Sequence, residues 1–434
     1  SYTDYAFSPD QIKMYPDLDW LEDSFDLGEK LSRRLKDIKN AERNSDTTSY
    51  VVFPYGSSAF LWKENSYNEY PSYDTGYRLV GLFRLWNAVQ YYFAYKYLIE
   101  EDWDVVLEKF IPQFINTDGE LGYKLAVLKL LTCLEDSHAR ILSPENGSDP
   151  TKIHPDIAKW EGEFMLPFEV TFIEEKAVIT DFYSVKNEDK SDYPFRIGDV
   201  ILSINHEPVD SIVRRKLVYT PASHYAGKLK KIATSVLRSG NNRISVSYER
   251  NNELLSGEYN AYPVSDIHIS NRTRKDLPAY THMDNGIGYI YLGSTRGETL
   301  PEQFGTDTKG LIIDLRSFPN SIKNYWGYYP LFPDTVMYAY LTIPSISHPG
   351  LFTYDGGVRA GKRTPDYFKG KKVLLINEYA QSQPEFLAMQ YGCSPNTTLI
   401  GSKTTGADGN IPVVGLPGMD IMFTGLGLYY PDGR

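Results

Sequence analysis

The stretch Lys372-Val-Leu-Leu-Ile-Asn377-Glu378-Tyr-Ala-Gln-Ser382-Gln-Pro-Glu385-Phe386-Leu-Ala-Met-Gln-Tyr391 decides the fold. Lys372–Asn377 reads as a short buried strand, Glu378–Glu385 as a turn, and Phe386–Tyr391 as the helix that leaves it. Ser382 then stands at a helix N-terminus, where unpaired backbone N–H groups and the positive dipole end face outward. Such donors can hold the oxyanion of an acyl-transfer intermediate. Serine is equally a preferred helix cap, so this stretch alone leaves both readings open.

Working outward, Gly288-Tyr-Ile-Tyr-Leu292, Gly310-Leu-Ile-Ile-Asp-Leu315 and Val373-Leu-Leu-Ile376 are apolar runs of strand length, separated by stretches long enough for crossover helices. Runs apolar on both faces predict a sheet covered on both sides. Between them, residues 325–367 are rich in aromatic residues and proline and read as a long functional loop or lid. Upstream, Leu79, Leu82, Phe83, Trp86, Val89 and Phe93 recur at helical spacing, followed by Trp103–Phe110 and Leu121–Leu131. Ser143–Asp156 reads as a polar linker. Beyond it the period becomes two, in Leu166–Ile173, Lys176–Asp181, Phe195–Asn205 and Arg243–Glu249, with a helical stretch from Gly227 to Leu237. The expected organisation is an α/β multidomain chain. It has an N-terminal segment (1–70), a helical domain (71–145), a β-rich module (157–265) and an α/β core (275–434).

A chain of 434 residues has room for two or three such units. Hydrophobic content of 41% and charged content of 23% are those of an ordinary globular protein. A net charge of −11, with acidic and basic residues interleaved, counts against nucleic acid as a partner. No apolar run has the length of a membrane span. The chain opens at Ser1 with no signal peptide, so any export signal has been removed or never existed. Two cysteines are too few for a disulfide framework, and Cys133 and Cys393 both read as small buried thiols. The 35 tyrosines suit a surface for extended polymers, and equally the composition of some exported proteins. Asn146, Asn271 and Asn396 head glycosylation acceptor triplets, which also arise by chance.

His138 ends an amphipathic helix in Leu134-Glu-Asp-Ser-His138. A histidine there can simply complement the helix dipole. Asp136 and Ser137 beside it supply the polar groups that a general base needs to fix its tautomer. His154, His206, His224, His268, His282 and His348 show no metal-ligand spacing, and no metal or cofactor is expected. Asp408-Gly-Asn410 is a turn signal without the remaining ligands of a calcium loop.

Taken in chain order, these pieces resemble the C-terminal processing (tail-specific) serine peptidases, and among them the tricorn-like branch. Leu134-Glu-Asp-Ser-His138 looks like that family's Leu-x-Asp-x-His motif, and Phe195–Val209 like a PDZ turn and strand. Asn285–Ile290 and Lys309–Arg316 look like its core strands, Asn377–Glu385 like its nucleophile turn, and Ile400–Gly409 like the strand and turn that follow. The resemblance covers about residues 78–434. It implies a helical region, a PDZ-like module and a crotonase-like ββα core. Ser382 falls on the family nucleophile. The activating lysine of the processing branch is replaced by Ala407, and Lys403 falls on a different position of the motif. The tricorn-like branch implies instead His138 as the base, supported through hydrogen bonding by Ser137. A glutamate is expected just beyond Tyr429-Tyr-Pro-Asp-Gly433, in chain continuing past Arg434. The oxyanion donors implied are the N–H groups of Gln383 and of Asn320, the latter at a family glycine and able to adopt left-handed backbone angles. Asp314 and Arg316 read as a structural pair.

The function implied is a serine endopeptidase acting on peptides or unfolded protein tails in the bacterial cell envelope. Its PDZ-like module would capture an extended chain by strand addition near Leu166, Pro167, Phe168, Glu169 and Val170. The alternative is a non-catalytic peptide- or ligand-binding protein on the same fold, favoured by Asn320-Ser321 and Ala407. An α/β-hydrolase esterase is set aside, because Ala380-Gln-Ser-Gln-Pro384 lacks both glycines of Gly-x-Ser-x-Gly.

Overall fold

The computed structural model describes residues 9–22, 24–41, 51–52, 61–62, 67, 69–143, 154–186, 193–269 and 277–434. Much of the 1–70 segment, most of the Ser143–Asp156 linker, and the acceptor triplets headed by Asn146 and Asn271 lie outside these residues. The described chain opens with strand β1 (Ile12–Met14) and helices α1 (Ser24–Leu27) and α2 (Glu29–Asn40). The helical region follows as α3 (Thr75–Tyr92), α4 (Trp103–Ile115) and α5 (Gly119–Thr132). Aspartates start the first two: Asp74 accepts from Tyr77 N–H, and Asp102 from Asp104 and Val105 N–H. Leu82, Leu85, Val89, Phe114, Val127, Leu130 and Leu131 bury the facing stripes. After α5 the chain turns through His138 into a two-residue strand, β2 (Arg140–Ile141).

Helix α6 (Pro155–Glu161) leads into an antiparallel module. Its elements are β3 (Phe168–Ile173), β4 (Lys176–Phe182), β5 (Val200–Ile204), helices α7 (Val209–Leu217) and α8 (Tyr225–Ala233), then β6 (Arg243–Arg250) and β7 (Glu253–Asn260). The main path of the sheet runs β7-β6-β5-β4-β3, which leaves β3 at one edge with α8 packed against it. Asp199, buried in the turn before β5, accepts a fork from Arg250 at 2.7 and 2.6 Å and so ties that turn to β6.

The third unit contains β8 (Tyr280–His282), β9 (Ile287–Tyr291), β10 (Gly310–Asp314), β11 (Val336–Pro344), β12 (Phe352–Tyr354) and β13 (Val358–Ala360). It continues with β14 (Lys371–Ile376), helix α9 (Gln383–Gly392) and β15 (Thr397–Gly401). Its main sheet runs β8-β9-β10-β14-β15 and is parallel from β9 onward. The apolar runs predicted as strands are β9, β10 and β14. Residues 325–367 are not a lid. They contain β11, β12 and β13, and β1 joins the same sheet. Tyr338 and Ala339 on β11 are fully buried, so the aromatic content serves core packing against α9.

The chain closes with β16 (Val413–Leu416), β17 (Met419–Met422) and β18 (Gly427–Tyr429), the last pairing with β11. β17 pairs with β2, Ile421 opposite Ile141. Val414, Leu416, Ile421 and Phe423 thereby complete the core of the helical region, whose three helices do not bury their apolar stripes by themselves. Neither cysteine is the buried thiol expected: Cys133 is half-buried against the helical core, and Cys393 is exposed just past α9.

Candidate active site

β10, β14 and β15 run parallel and in register, so their carboxyl ends lie side by side, a usual place for a site in such sheets. Gly401, at the end of β15, has φ 139°, and a Cβ there would lie 1.8 Å from the Ile376 carbonyl oxygen. Only glycine lets the 402–409 segment turn beneath the loop that follows β14. Two backbone bonds then fasten the two loops, Thr405 N–H to Ala380 O and Ser382 N–H to Ala407 O, each 2.8 Å; further on, Gly425 N–H donates to Asn410 O at 2.9 Å.

Ser382 occupies the N-cap position of α9 with φ 62° and ψ −119°. An ordinary N-cap has β-region angles. A non-glycine residue in this sparsely populated region costs about 1–3 kcal/mol and persists only where its surroundings impose it. Glu385 is the principal constraint. Its carboxylate accepts from Ser382 N–H at 2.9 Å, Gly406 N–H at 2.8 Å and Ala407 N–H at 3.1 Å. Burial pushes this carboxyl up, while those donors and Thr404 pull it back.

His138 is buried, and its ring is held from the C-terminal strands. His138 Nδ1 lies 2.9 Å from Thr424 Oγ1, and that hydroxyl donates to Asp136 Oδ1, also at 2.9 Å. A hydroxyl has one proton, so Thr424 must accept from the ring. Nδ1 therefore carries the hydrogen, and Nε2 keeps its lone pair. Asp136 is further satisfied by His138 N–H at 2.9 Å and Thr424 N–H at 2.6 Å. Burial holds the His138 pKa below the ordinary value, against the opposing charge of Asp136.

Ser137 behaves differently from its expected part. Its hydroxyl donates to Thr405 O at 2.9 Å and accepts from Ser223 N–H at 2.9 Å, so its one proton is not available to the imidazole. It clips the His138 segment to the loop beneath Ser382. Gln381 Nε2 reaches the Ser137 carbonyl at 3.4 Å, so the residues directly preceding Ser382 and His138 touch.

The expected second oxyanion donor is lost. Asn320 N–H donates to Leu292 O at 3.0 Å, which removes it from the site. The left-handed asparagine of this loop is Asn324, at φ 56°. Gln383, the first residue of α9, retains a helix-terminal N–H. Arg316 forks onto Asp314 at 2.9 and 2.7 Å, with the Tyr289 hydroxyl donating to the same carboxylate at 2.7 Å, a structural pair as expected. Burial opposes ionisation of Asp314, but these bonds outweigh it and keep its carboxyl below the usual range.

Sequence reasoning missed Thr424 and Lys231. Thr424 is nearly three hundred residues from His138, and a threonine after a short strand gives no local signal. Lys231, on α8, donates to the carbonyls of Ser137 at 2.9 Å and Pro221 at 2.5 Å, and burial pushes its pKa down to about 7. Asp408 is half-buried, and desolvation pushes its carboxyl up to about 7; one oxygen accepts from Gly409 N–H and the other, shielded from solvent, has no hydrogen-bond partner among the described residues. Among the described residues, no group of three or more His, Cys, Asp or Glu side chains gathers as a metal site.

In the 166–170 segment, the side chains of Leu166, Phe168 and Val170 are buried in the core of the β-rich module. Pro167 has no N–H to donate. Glu169 lies 3.5 Å from the Tyr379 hydroxyl, which brings the edge strand β3 against the turn that carries Ser382. A cavity of about 120 Å³ lies between Thr171 and Phe172 of β3, Leu229 and Lys230 of α8, and Glu378 and Tyr379 of that turn.

Residues 161–249 match the PDZ domain family. No curated protein matches the sequence. Among solved structures, mature CPAF complexed with lactacystin gives a TM-score of 0.57 at 12% identity, over 83% of this chain and 91% of that one. A mutant of CPAF gives 0.60 at 12% identity, over 83% and 90%. The photosystem II D1 C-terminal processing protease gives 0.41 at 15% identity, over 82% and 89%. No helix among the described residues is long and apolar enough to cross a membrane. The chain thus matches the PDZ domain family at residues 161–249 and shares the fold of CPAF over most of its length.

Proposed function

We propose that this protein is a serine endopeptidase that cuts peptides or unfolded protein tails through an acyl-enzyme. The observation that carries it is Ser382 at φ 62°, ψ −119°, on a strand-to-helix turn whose neighbour Gln381 touches the residue before His138. A serine that only capped a helix would not need this strain. His138 Nε2 takes the Ser382 Oγ proton as the oxygen attacks the scissile carbonyl. Gln383 N–H faces the resulting oxyanion. His138 then returns the proton to the leaving amine, and a water repeats the cycle to release the acid. The edge of β3 supports capture of an extended chain by strand addition, with the side chains of 166–170 forming the wall rather than the contact surface. The crotonase-like class of the core and a cell-envelope location belong to the same proposal and rest on the motif resemblance.

A non-catalytic peptide receptor is the second reading, favoured by the engagement of Asn320 N–H with Leu292 O. Loss of one oxyanion donor lowers turnover by about 100-fold to 1,000-fold without abolishing it. Labelling with a serine-directed fluorophosphonate separates the two. The enzyme labels on Ser382, and Ser382→Ala and His138→Ala do not label; a folded wild-type chain that stays unlabelled is the receptor.

A further inference from the structure

We infer that Thr424 and Asp136 are the positioning residues of the base, forming a relay Asp136–Thr424–His138 that performs the orienting task expected of Ser137 and a glutamate. The inference deepens the peptidase reading and rests on it for its kinetic part alone.

Three observations carry it. First, proton bookkeeping along the chain of bonds is unambiguous: Thr424 Oγ1 gives its only proton to Asp136 Oδ1, and so accepts from His138 Nδ1. The ring is fixed as the tautomer whose Nε2 can act as base. Second, Ser137 is already committed, donating to Thr405 O and accepting from Ser223 N–H. Third, the relay is rigid and dry. Thr424 is fully buried, Asp136 and His138 nearly so, and Asp136 has backbone donors from both His138 and Thr424 in addition to the hydroxyl. Thr424 lies two residues past the end of β17, which pairs with β2, so the strand pairing that closes the helical region also sets the distance across the relay. When Nε2 takes a proton, the positive ring is stabilised by Asp136 through the polarised threonine hydroxyl, with no proton leaving Nδ1.

The test uses the full chain and two readouts. Nitrogen-15 NMR of the imidazoles reports the tautomer without any substrate, and the rate of fluorophosphonate labelling reports the nucleophile. Wild type is expected to hold hydrogen on Nδ1. Thr424→Val removes the acceptor and should mix the tautomers and slow labelling by about 100-fold or more. Thr424→Ser restores both to within about fivefold, and Ser137→Ala leaves the tautomer unchanged. If Thr424→Val fails to fold, the wild-type tautomer and Thr424→Ser still decide. Hydrogen on Nε2 in wild type, or an unchanged tautomer in a folded Thr424→Val, overturns the relay. A correct tautomer in a wild-type chain that never labels leaves the relay standing and overturns the peptidase instead.

Discussion

Glu385→Gln tests whether the strained serine is imposed by its surroundings. In the native turn one carboxylate oxygen serves Ser382 N–H and Ala407 N–H, and the other serves Gly406 N–H. The amide keeps one oxygen and turns the other position into a donor that faces an N–H group. A hydrogen bond to a charged acceptor contributes about 1.5–3 kcal/mol, and a partner left unsatisfied costs about 1–3 kcal/mol. Whichever way the amide faces, at least one such bond is lost and the rest become neutral, so destabilisation of about 2–4 kcal/mol is expected. The second consequence is local. Ser382 stores about 1–3 kcal/mol of backbone strain, and with the clamp weakened it can relax toward an ordinary cap. A displacement near 1 Å at a nucleophile costs about 100-fold in rate. Urea unfolding followed by tryptophan fluorescence measures the first quantity, and fluorophosphonate labelling of still-folded variant measures the second. A variant within about 0.5 kcal/mol of wild type that also labels at the wild-type rate would refute the clamp.

The desolvated carboxyl of Asp408 makes stability depend on pH. Its folded pKa is raised to about 7 from an ordinary 3.8, so the folded state binds more protons than the unfolded chain between these values. The stabilisation is therefore complete below about pH 4 and is lost as pH rises through 7, a difference of about 4 kcal/mol at most. Asp408→Asn should gain on wild type in urea unfolding as pH is raised from about 5 to about 8; a constant gap across that range counts against the burial argument. Gly401→Ala should lower stability by more than about 3 kcal/mol or prevent folding, since the added Cβ would meet the Ile376 carbonyl. A soluble variant with an unshifted melting temperature would mean that the 402–409 loop does not pass under the Ser382 turn.

Much of the architecture is legible in the chain itself, because it follows from local pattern. The short apolar runs of β9, β10 and β14 mark their strands; β10 is buried on both faces, while β9 and β14 bury one face more than the other. The turn from β14 into α9 puts Ser382 at a helix terminus by sequence alone. The Phe195–Val209 pattern announces a module that the PDZ match at 161–249 bears out. Residues 325–367 have the composition of a loop, but aromatic and proline content marks a loop only when nothing pairs with it. Here β11 pairs with β12 and β13 inside the stretch itself and with β18 far away in the chain. The same limit governs the site. Sequence can nominate Ser382 and His138, but hydrogen-bond partners are set by which strands lie side by side. Asn320 spends its N–H on Leu292, Ser137 its hydroxyl on Thr405, and His138 finds Thr424 only because β17 pairs with β2. Residue types and their order determined what chemistry this chain could hold. The tertiary structure decided which proton each of those residues has left to give.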